Sequence, residues 1–316
     1  MTRVVVASRT FSRHPVLRKE LLARYPDATF NDRGLRLAGD ALVRFLDGHA
    51  KAITALEKLD AVTFAALPAL KVVSKFGVGF ETIDLDAMAK AGVRLGWTGG
   101  VNRRSVAELV IALTIALLRH LPEAGGEVKR GGWPQLPGRQ LSERTVGIVG
   151  CGHVGKDLAQ LLRAFGCRVL AHDVHDFPDF YAEHGIEPAG LEKLLKESDV
   201  VTLHVPLDAT TRNIISAERL GWMKPDAVLI NTARGGVVDE RALKAALTNG
   251  RLAGAAFDVF TVEPPEDPEL LKLPNFIATP HIGGGAEEAV LAMGCAAIEG
   301  LDDNRIPEPG VFPDGY

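Results

Sequence analysis

Cysteine is scarce in this chain. Only Cys151, Cys167 and Cys295 occur in 316 residues. They are too few for a disulfide framework and carry no metal-ligand spacing, which excludes a stapled secreted scaffold and a zinc module and reads as reduced intracellular thiols. His172, His175 and His184 have no carboxylate or cysteine at ligand spacing, so no metal is expected. No long basic block offsets a formal net charge of −4, which argues against a general nucleic-acid binder. Long apolar runs are also missing. The longest, Val106 to Leu118, contains Glu108 and is too short to span a bilayer, and residues 1–8 lack the layout of a secretory signal. A cytoplasmic protein with no membrane or nucleic-acid partner is the expectation.

What is present is length enough for two domains and a repeated alternation of short apolar runs with amphipathic segments. Strands are expected at residues 3–7, 28–31, 52–55, 69–75 and 93–96. Helices separate them, the first running through HPVLRKELLARYP behind a leading proline. The order β-α-β-α implies a parallel sheet covered by helices. A buried helix follows over Val106 to Leu118, with Ser105 and Glu108 read as a capping box. Residues 119–144 read as an irregular excursion with Trp133 as a packing anchor. The segment after Asp173, HDFPDFYAEHGIEPAG, reads mostly as loop. Further strands are expected at 199–204, 227–231, 254–259 and 276–279, then a last helix over 286–300. The proline-rich tail from Ile306 to Tyr316 is expected to be extended or loosely ordered.

The second half opens on TVGIVGCGHVGKDLAQLLRAFGCRVLAHD, residues 145–173. An apolar strand breaks into Gly150-x-Gly152-x-x-Gly155. That spacing gives a tight turn, an open approach to a pyrophosphate and close packing of helix on strand. The N–H groups of the following helix would face the phosphates. A second strand ends in Asp173, whose carboxylate can accept hydrogen bonds from ribose hydroxyls. No Arg or Lys adjoins Asp173 to meet a 2′-phosphate, which favours NAD over NADP. Cys151 within the loop reads as a space-filler.

Several chemistry-bearing residues fall just past expected strands, where open parallel sheets bind ligands. In the first half, Phe76-Gly77-Val78-Gly79-Phe80 offers accessible N–H groups suited to an anion, or else a simple turn. In the second, Arg234, Glu263 and His281 each follow a strand. Hydride transfer to a 2-keto acid needs its carboxylate held, its ketone polarised and a proton supplied. Arginine serves the first two with a permanently charged fork; histidine serves the third; a glutamate on the ring fixes its tautomer. Each has a plainer reading: Arg234 as a cap or ion pair, Glu263 as a solvated carboxylate, His281 as a packed turn histidine.

The glycine loop with Asp173, NTARGGVVDE at 231–240, FDVFTVEPP at 257–265 and TPHIGG at 279–284 together resemble the D-isomer-specific 2-hydroxyacid dehydrogenases, the family of glyoxylate/hydroxypyruvate reductases and D-3-phosphoglycerate dehydrogenases. KFGVGFETIDL at 75–85 and GVNRRSVAELV at 100–110 extend the likeness over nearly the whole chain. The resemblance implies an α/β protein of two Rossmann/flavodoxin-like domains with parallel sheets and an interdomain active-site cleft. Residues 1–100 plus 286–316 would form a discontinuous substrate-binding domain, and 101–285 an NAD-binding domain through which homodimers form. It implies an NAD-dependent oxidoreductase acting on small 2-hydroxy or 2-keto acids. Arg234 would clamp substrate, and Glu263 would support His281 as acid/base.

The expected cofactor-binding set is Gly150, Gly152, His153, Val154, Gly155, Asp173, Val205, Pro206, Thr232, Ala233, Asp258 and Gly284. The apolar setting of Asp258 equally suits an interior structural carboxylate. The expected substrate set is Phe76, Gly77, Val78, Gly79, Arg234 and His281, with N–H groups of Val78 and Gly79 on the carboxylate. Phe76 and Phe80 would make the pocket wall apolar, disfavouring a second phosphate on the substrate unless Arg103 or Arg104 met one. No C-terminal regulatory domain of the kind many phosphoglycerate dehydrogenases carry is read in the chain. The competing expectation is an NAD(H)-sensing interaction protein on the same fold, without significant turnover.

Overall fold

The computed structural model describes residues 3–308; the tail expectation beyond Glu308 lies outside the described residues. The chain divides into two compact units. One comprises the chain up to Asn102 together with the segment from Ala286 on, and the other is Arg103–Gly285.

In the first unit, β1 (Val4–Val6), β2 (Thr29–Phe30), β3 (Lys51–Thr54), β4 (Val72–Lys75) and β5 (Arg94–Gly96) form an all-parallel sheet of order β2-β1-β3-β4-β5. Its strands are short, and the central three, β1, β3 and β4, are almost wholly buried, as a sheet covered by helices requires. One face packs Leu42, Leu46, Leu59, Phe64 and Met88. The other packs Phe11, Leu17, Leu21 and Ile298. Ile298 belongs to the helix Glu287–Glu299 at the far end of the chain. That helix lies on helix Pro15–Arg24, and at Gly294 any side chain would overlap Leu17. Ser74 on β4 donates to Ala297 O at 2.6 Å, and Asp302 beyond the helix accepts from both Lys51 and Tyr25. Burying each large side chain of such a layer contributes about 1.5–3 kcal/mol.

In the second unit, β6 (Thr145–Val149), β7 (Arg168–His172), β8 (Glu187–Pro188), β9 (Val200–Leu203), β10 (Val228–Asn231), β11 (Gly254–Phe257) and β12 (Phe276–Ala278) pair in parallel in the order β12-β11-β10-β9-β6-β7-β8. Between β6 and β9 the order reverses, leaving a crevice at their carboxyl ends.

Five local expectations are corrected. The helix before this unit begins at Arg103, not after Ser105. Ser105 therefore lies inside the first turn and donates to Gly283 O at 2.6 Å instead of capping. Residues 121–129 form a helix, Leu121–Lys129, although none of its residues is buried. Trp133 anchors nothing, since 80% of its surface is exposed. The stretch after Asp173 contains the helix Pro178–His184, with proline at its first turn and Gly185 left-handed at its end, followed by β8. Finally, Phe76 and Phe80 are core residues: Phe76 packs edge-on against Phe11 and Phe80 against Trp97, on opposite faces of the sheet. Helices Arg9–Arg13 and Pro268–Leu271 add to the expected set.

Candidate active site

At the β6/β9 crevice each motif glycine has a separate physical reason. Gly150 holds φ +97° with His204 O so close that a Cβ would come to 2.6 Å. A Cβ on Gly155 would overlap Gly150 O, so the helix His153–Ala164 sits directly on the strand end. At Gly152 a Cβ would meet nothing within 4 Å. That glycine is not needed for packing, and it leaves the helix start open to a ligand.

Asp173 is fixed beside the loop. Its carboxylate accepts from Cys151 N at 2.6 Å and from His175 N at 2.9 Å. Cys151 is fully buried, and burial ahead of the neighbouring Asp173 charge pushes its thiol up to about 11; it fills space. His153 titrates below its ordinary value because of desolvation and the nearby charges of Arg103 and Lys156. Val205 and Pro206, half-buried, follow β9 beside the loop, and Thr232, after β10, has a buried hydroxyl with no partner. An open helix start, a fixed carboxylate and an orphaned hydroxyl are what a dinucleotide would use, so the residues fit NAD.

Three neighbouring strand ends are tied together next to this loop. After β10, Asn231 is wholly buried and shapes the turn by donating to Arg234 O at 2.9 Å and accepting from Ala233 N at 3.1 Å. At Gly235 a side chain would overlap the Phe260 backbone, so the arginine turn lies on the segment after β11. Phe260 N in turn donates to Glu263 Oε1 at 3.1 Å. The other oxygen, Oε2, lies 2.9 Å from His281 Nδ1.

His281 adopts φ +55°, a left-handed conformation uncommon for a side-chain-bearing residue. Asp258 holds it there. Buried at the end of β11, its carboxylate accepts from Thr279 Oγ1 at 2.6 Å, Ile282 N at 2.8 Å and Gly283 N at 2.7 Å. Ser105 grips Gly283 from the other side, next to Gly284. Asp258 thus acts structurally on the histidine loop. The Glu263 and His281 side chains remain 40% and 54% exposed. An exposed pair of this kind adds at most about 1 kcal/mol to stability, so its geometry orients the ring more than it stabilises the fold.

Sequence reasoning singled out Arg234, Glu263 and His281 but missed Asn231, and it gave Ser105 a different task. Asn231 stood visible in NTARGG, yet only its burial reveals that it shapes the turn. Arg104, one of two residues considered for a second substrate phosphate, is committed elsewhere, in a two-pronged bond to Asp157 at 2.8 and 2.9 Å. In the first unit, Gly77 after β4 has φ +121°, and Phe76 and Phe80 anchor the turn from either side.

A sheet in Rossmann order with this loop defines a dinucleotide-binding protein. Residues 111–283 match the model of the D-isomer specific 2-hydroxyacid dehydrogenase NAD binding domain. The chain is 40% identical over 252 residues to a glyoxylate reductase of Korarchaeum cryptofilum, covering 78% of this chain and 76% of that protein. It is 39% identical over 233 residues to a D-3-phosphoglycerate dehydrogenase of Methanocaldococcus jannaschii, covering 73% of this chain but 44% of that longer protein. Its fold superposes on D-lactate dehydrogenase from Aquifex aeolicus, solved with NAD and lactic acid, with TM-score 0.80, 27% identity, and 98% and 100% of the two chains covered. This chain belongs to the D-isomer specific 2-hydroxyacid dehydrogenase family and is an NAD-dependent oxidoreductase acting on CH–OH groups.

Proposed function

We propose that the protein reduces a small 2-keto acid to the D-2-hydroxy acid, or runs the reverse reaction, with Arg234, Glu263 and His281 as its working side chains. The observation that carries this reading is the 2.9 Å bond from His281 Nδ1 to Glu263 Oε2, in a loop held left-handed by Asp258. With Nδ1 engaged, Nε2 is the ring atom left to exchange a proton with the substrate oxygen. Arg234, on a turn shaped by Asn231, clamps the substrate carboxylate and polarises the ketone. In the first unit, N–H groups of Val78 and Gly79, in the turn after β4, suit a carboxylate. NAD(H), when bound, supplies or accepts the hydride at C2. The second unit holds it through Gly150, Gly152, His153, Val154, Gly155 and Asp173, with Val205, Pro206, Thr232, Ala233 and Gly284 around the strand ends.

A cytoplasmic homodimer is part of the proposal. The second unit exposes Trp133, with Leu121 and Val128 on the helix Leu121–Lys129, an apolar set whose covering by a second copy would explain a helix that buries nothing within its own chain. All three thiols are free, and among the described residues no single helix is long and apolar enough to cross a membrane.

The test is NADH and NADPH consumption in parallel against glyoxylate, hydroxypyruvate, pyruvate, 2-ketobutyrate and phenylpyruvate. Turnover with NADH, and a KM raised about tenfold or more in Arg234→Lys through loss of a two-pronged charged contact, is the expected result. NADH binding without turnover of any keto acid overturns it in favour of a nucleotide-responsive interaction protein. Preference for NADPH overturns the role given to Asp173.

A further inference from the structure

The turn after β4 is gripped at both ends. Before it, Phe76 N donates to Thr54 O at 2.8 Å, and the Phe76 ring packs edge-on against Phe11. Lys75, 6% exposed, reaches Ala55 O and, at 3.1 Å, Thr82 Oγ1 on the far side of the turn. After it, Phe80 is buried and its carbonyl accepts from Ile83 N at 2.8 Å. Between the grips lies Gly77-Val78-Gly79, two residues without a side chain around one half-buried valine.

Such a stretch has a particular weakness. Gly77 already stands at φ +121°, and glycine moves between positive and negative φ at little cost. The Val78–Gly79 peptide can therefore rotate with little movement of its neighbours. Because a trans peptide is planar, its C=O and N–H point opposite ways. Rotation decides which of them a ligand meets. Gly79 N–H would donate to a carboxylate, whereas Val78 O would repel it.

An indole makes the choice. Trp97 Nε1 donates to Val78 O at 3.2 Å. The Val78–Gly79 bond is trans, so the Gly79 N–H is turned away from the indole. Among the described residues that N–H donates to no backbone oxygen.

Trp97 is itself well braced. It follows β5, which pairs with β4, and so leaves the sheet beside the turn. Its ring lies on Phe80 with centroids 4.8 Å apart. The end of β5 is fixed by the last part of the chain. Leu95 exchanges backbone bonds with Arg305 at 2.7 and 3.0 Å. Gly96 meets the Gly300 backbone so closely that a side chain there would overlap it.

We propose that Trp97 is a positioning residue for the substrate carboxylate: its indole N–H holds the Val78–Gly79 peptide with the amide hydrogen outward. The proposal rests on the reading that N–H groups of Val78 and Gly79 receive that carboxylate. The carboxylate does not change in the reaction, so the indole strengthens ground-state and transition-state binding alike. Its loss should raise KM and leave kcat alone. A tryptophan that only packs would change stability and neither kinetic constant.

The experiment uses two variants. Trp97→Phe keeps an aromatic ring against Phe80 and removes the donor. Incorporating the benzothiophene isostere of tryptophan at position 97 removes the donor with ring size unchanged, and it serves should Trp97→Phe fold poorly. The readings are KM for the fastest of glyoxylate, pyruvate and phenylpyruvate, and Ki for oxamate, a carboxylate analogue that is not reduced. Both constants are expected to rise about three- to tenfold, the scale of one hydrogen bond, with kcat within about twofold and NADH affinity unchanged. The chain has three tryptophans, and Trp133 and Trp222 lie in the second unit. Oxamate added to the cofactor-bound enzyme should therefore change an emission component that Trp97→Phe lacks. If that component responds but KM and Ki stay within about twofold in the isostere variant, the proposal is overturned and the carboxylate reading stands. A lower denaturation midpoint with KM unchanged has the same meaning. Oxamate inhibition without any response from Trp97 overturns both. Absence of turnover with every keto acid sinks the reading of function along with them.

Discussion

Counted from its own first strand, the seven-stranded sheet runs 3-2-1-4-5-6-7, while the five-stranded one runs 2-1-3-4-5. Both are parallel and covered on two faces, and each reverses once, yet the chain finishes the two reversals differently. At the β6/β9 point the loop has almost no side chains, and recognition falls to backbone N–H groups, a helix start and one fixed carboxylate. At the β1/β3 point the flanking segments, the helix Arg9–Arg13 and the loop after β2, are polar and carry arginines. A ligand constant across a family, such as a dinucleotide, suits backbone recognition, which tolerates little change. A substrate that differs among relatives suits side chains on pinned loops, which can be exchanged without disturbing the sheet.

That contrast can be tested by substitution. The largest expected effect is His281→Gln, which should lower kcat by about 100- to 10,000-fold, the range of general acid–base catalysis, with NADH affinity unchanged in a fluorescence titration. A kcat within a few fold of wild type would remove His281 from the reaction. Next, two glycines three residues apart should separate folding from binding. Gly155→Ala forces a methyl onto Gly150 O and should cost about 1–3 kcal/mol of stability, as overpacking does, read as a lower denaturation midpoint. Gly152→Ala has room for its methyl. It should leave that midpoint alone while weakening NADH about tenfold, because the methyl stands where the pyrophosphate approaches. If both variants only destabilise, the loop is a structural turn.

The smallest effect concerns the edge of the second sheet away from both sites. Burial raises the Asp199 pKa, but the bond from Lys224 at 2.9 Å and from Thr145 N at 2.9 Å outweighs it, and the net shift is downward. A folded-state value below the unfolded one gives stability that is present above the ordinary carboxylate range and lost as pH falls through the folded value. Asp199→Asn should therefore lower Tm by a few degrees at pH 7, with the gap to wild type closing below about pH 4. A gap that does not narrow in acid would show that packing, not charge, sets it.

Much of this molecule was legible in its sequence because the sheets are buried on both faces. Val4–Val6, Val146–Val149 and Val228–Ile230 advertise themselves as apolar runs, and glycines mark where they stop. Residues 121–129 were not legible for the converse reason. A helix that buries none of its residues imposes no apolar period, and Pro122, Gly125 and Gly126 point away from helix. The helix Pro178–His184 did leave signs, a first-turn proline and a terminal Gly185, but only Tyr181 within it is buried. At the site, motif spacing drew attention to Arg234, Glu263 and His281. What spacing cannot show is that one carboxylate, Asp258, receives three donors from the segment carrying His281. Nor could it show that Phe76 and Phe80 turn into opposite faces of the sheet, which the two-residue period of a strand does not settle beyond its end.

The helix Glu287–Glu299 completes the unit that residues near the amino terminus begin. On a ribosome the inserted unit, ending at Gly285, has all of its strands before the outer one has its last helix. Leu17, Ser74 and Gly96 must wait for Gly294, Ala297 and Gly300, across closures of more than two hundred residues whose entropy grows only slowly with length. The order of synthesis therefore sets an order of maturation, with the nucleotide-binding unit ready first and the amino-terminal unit last.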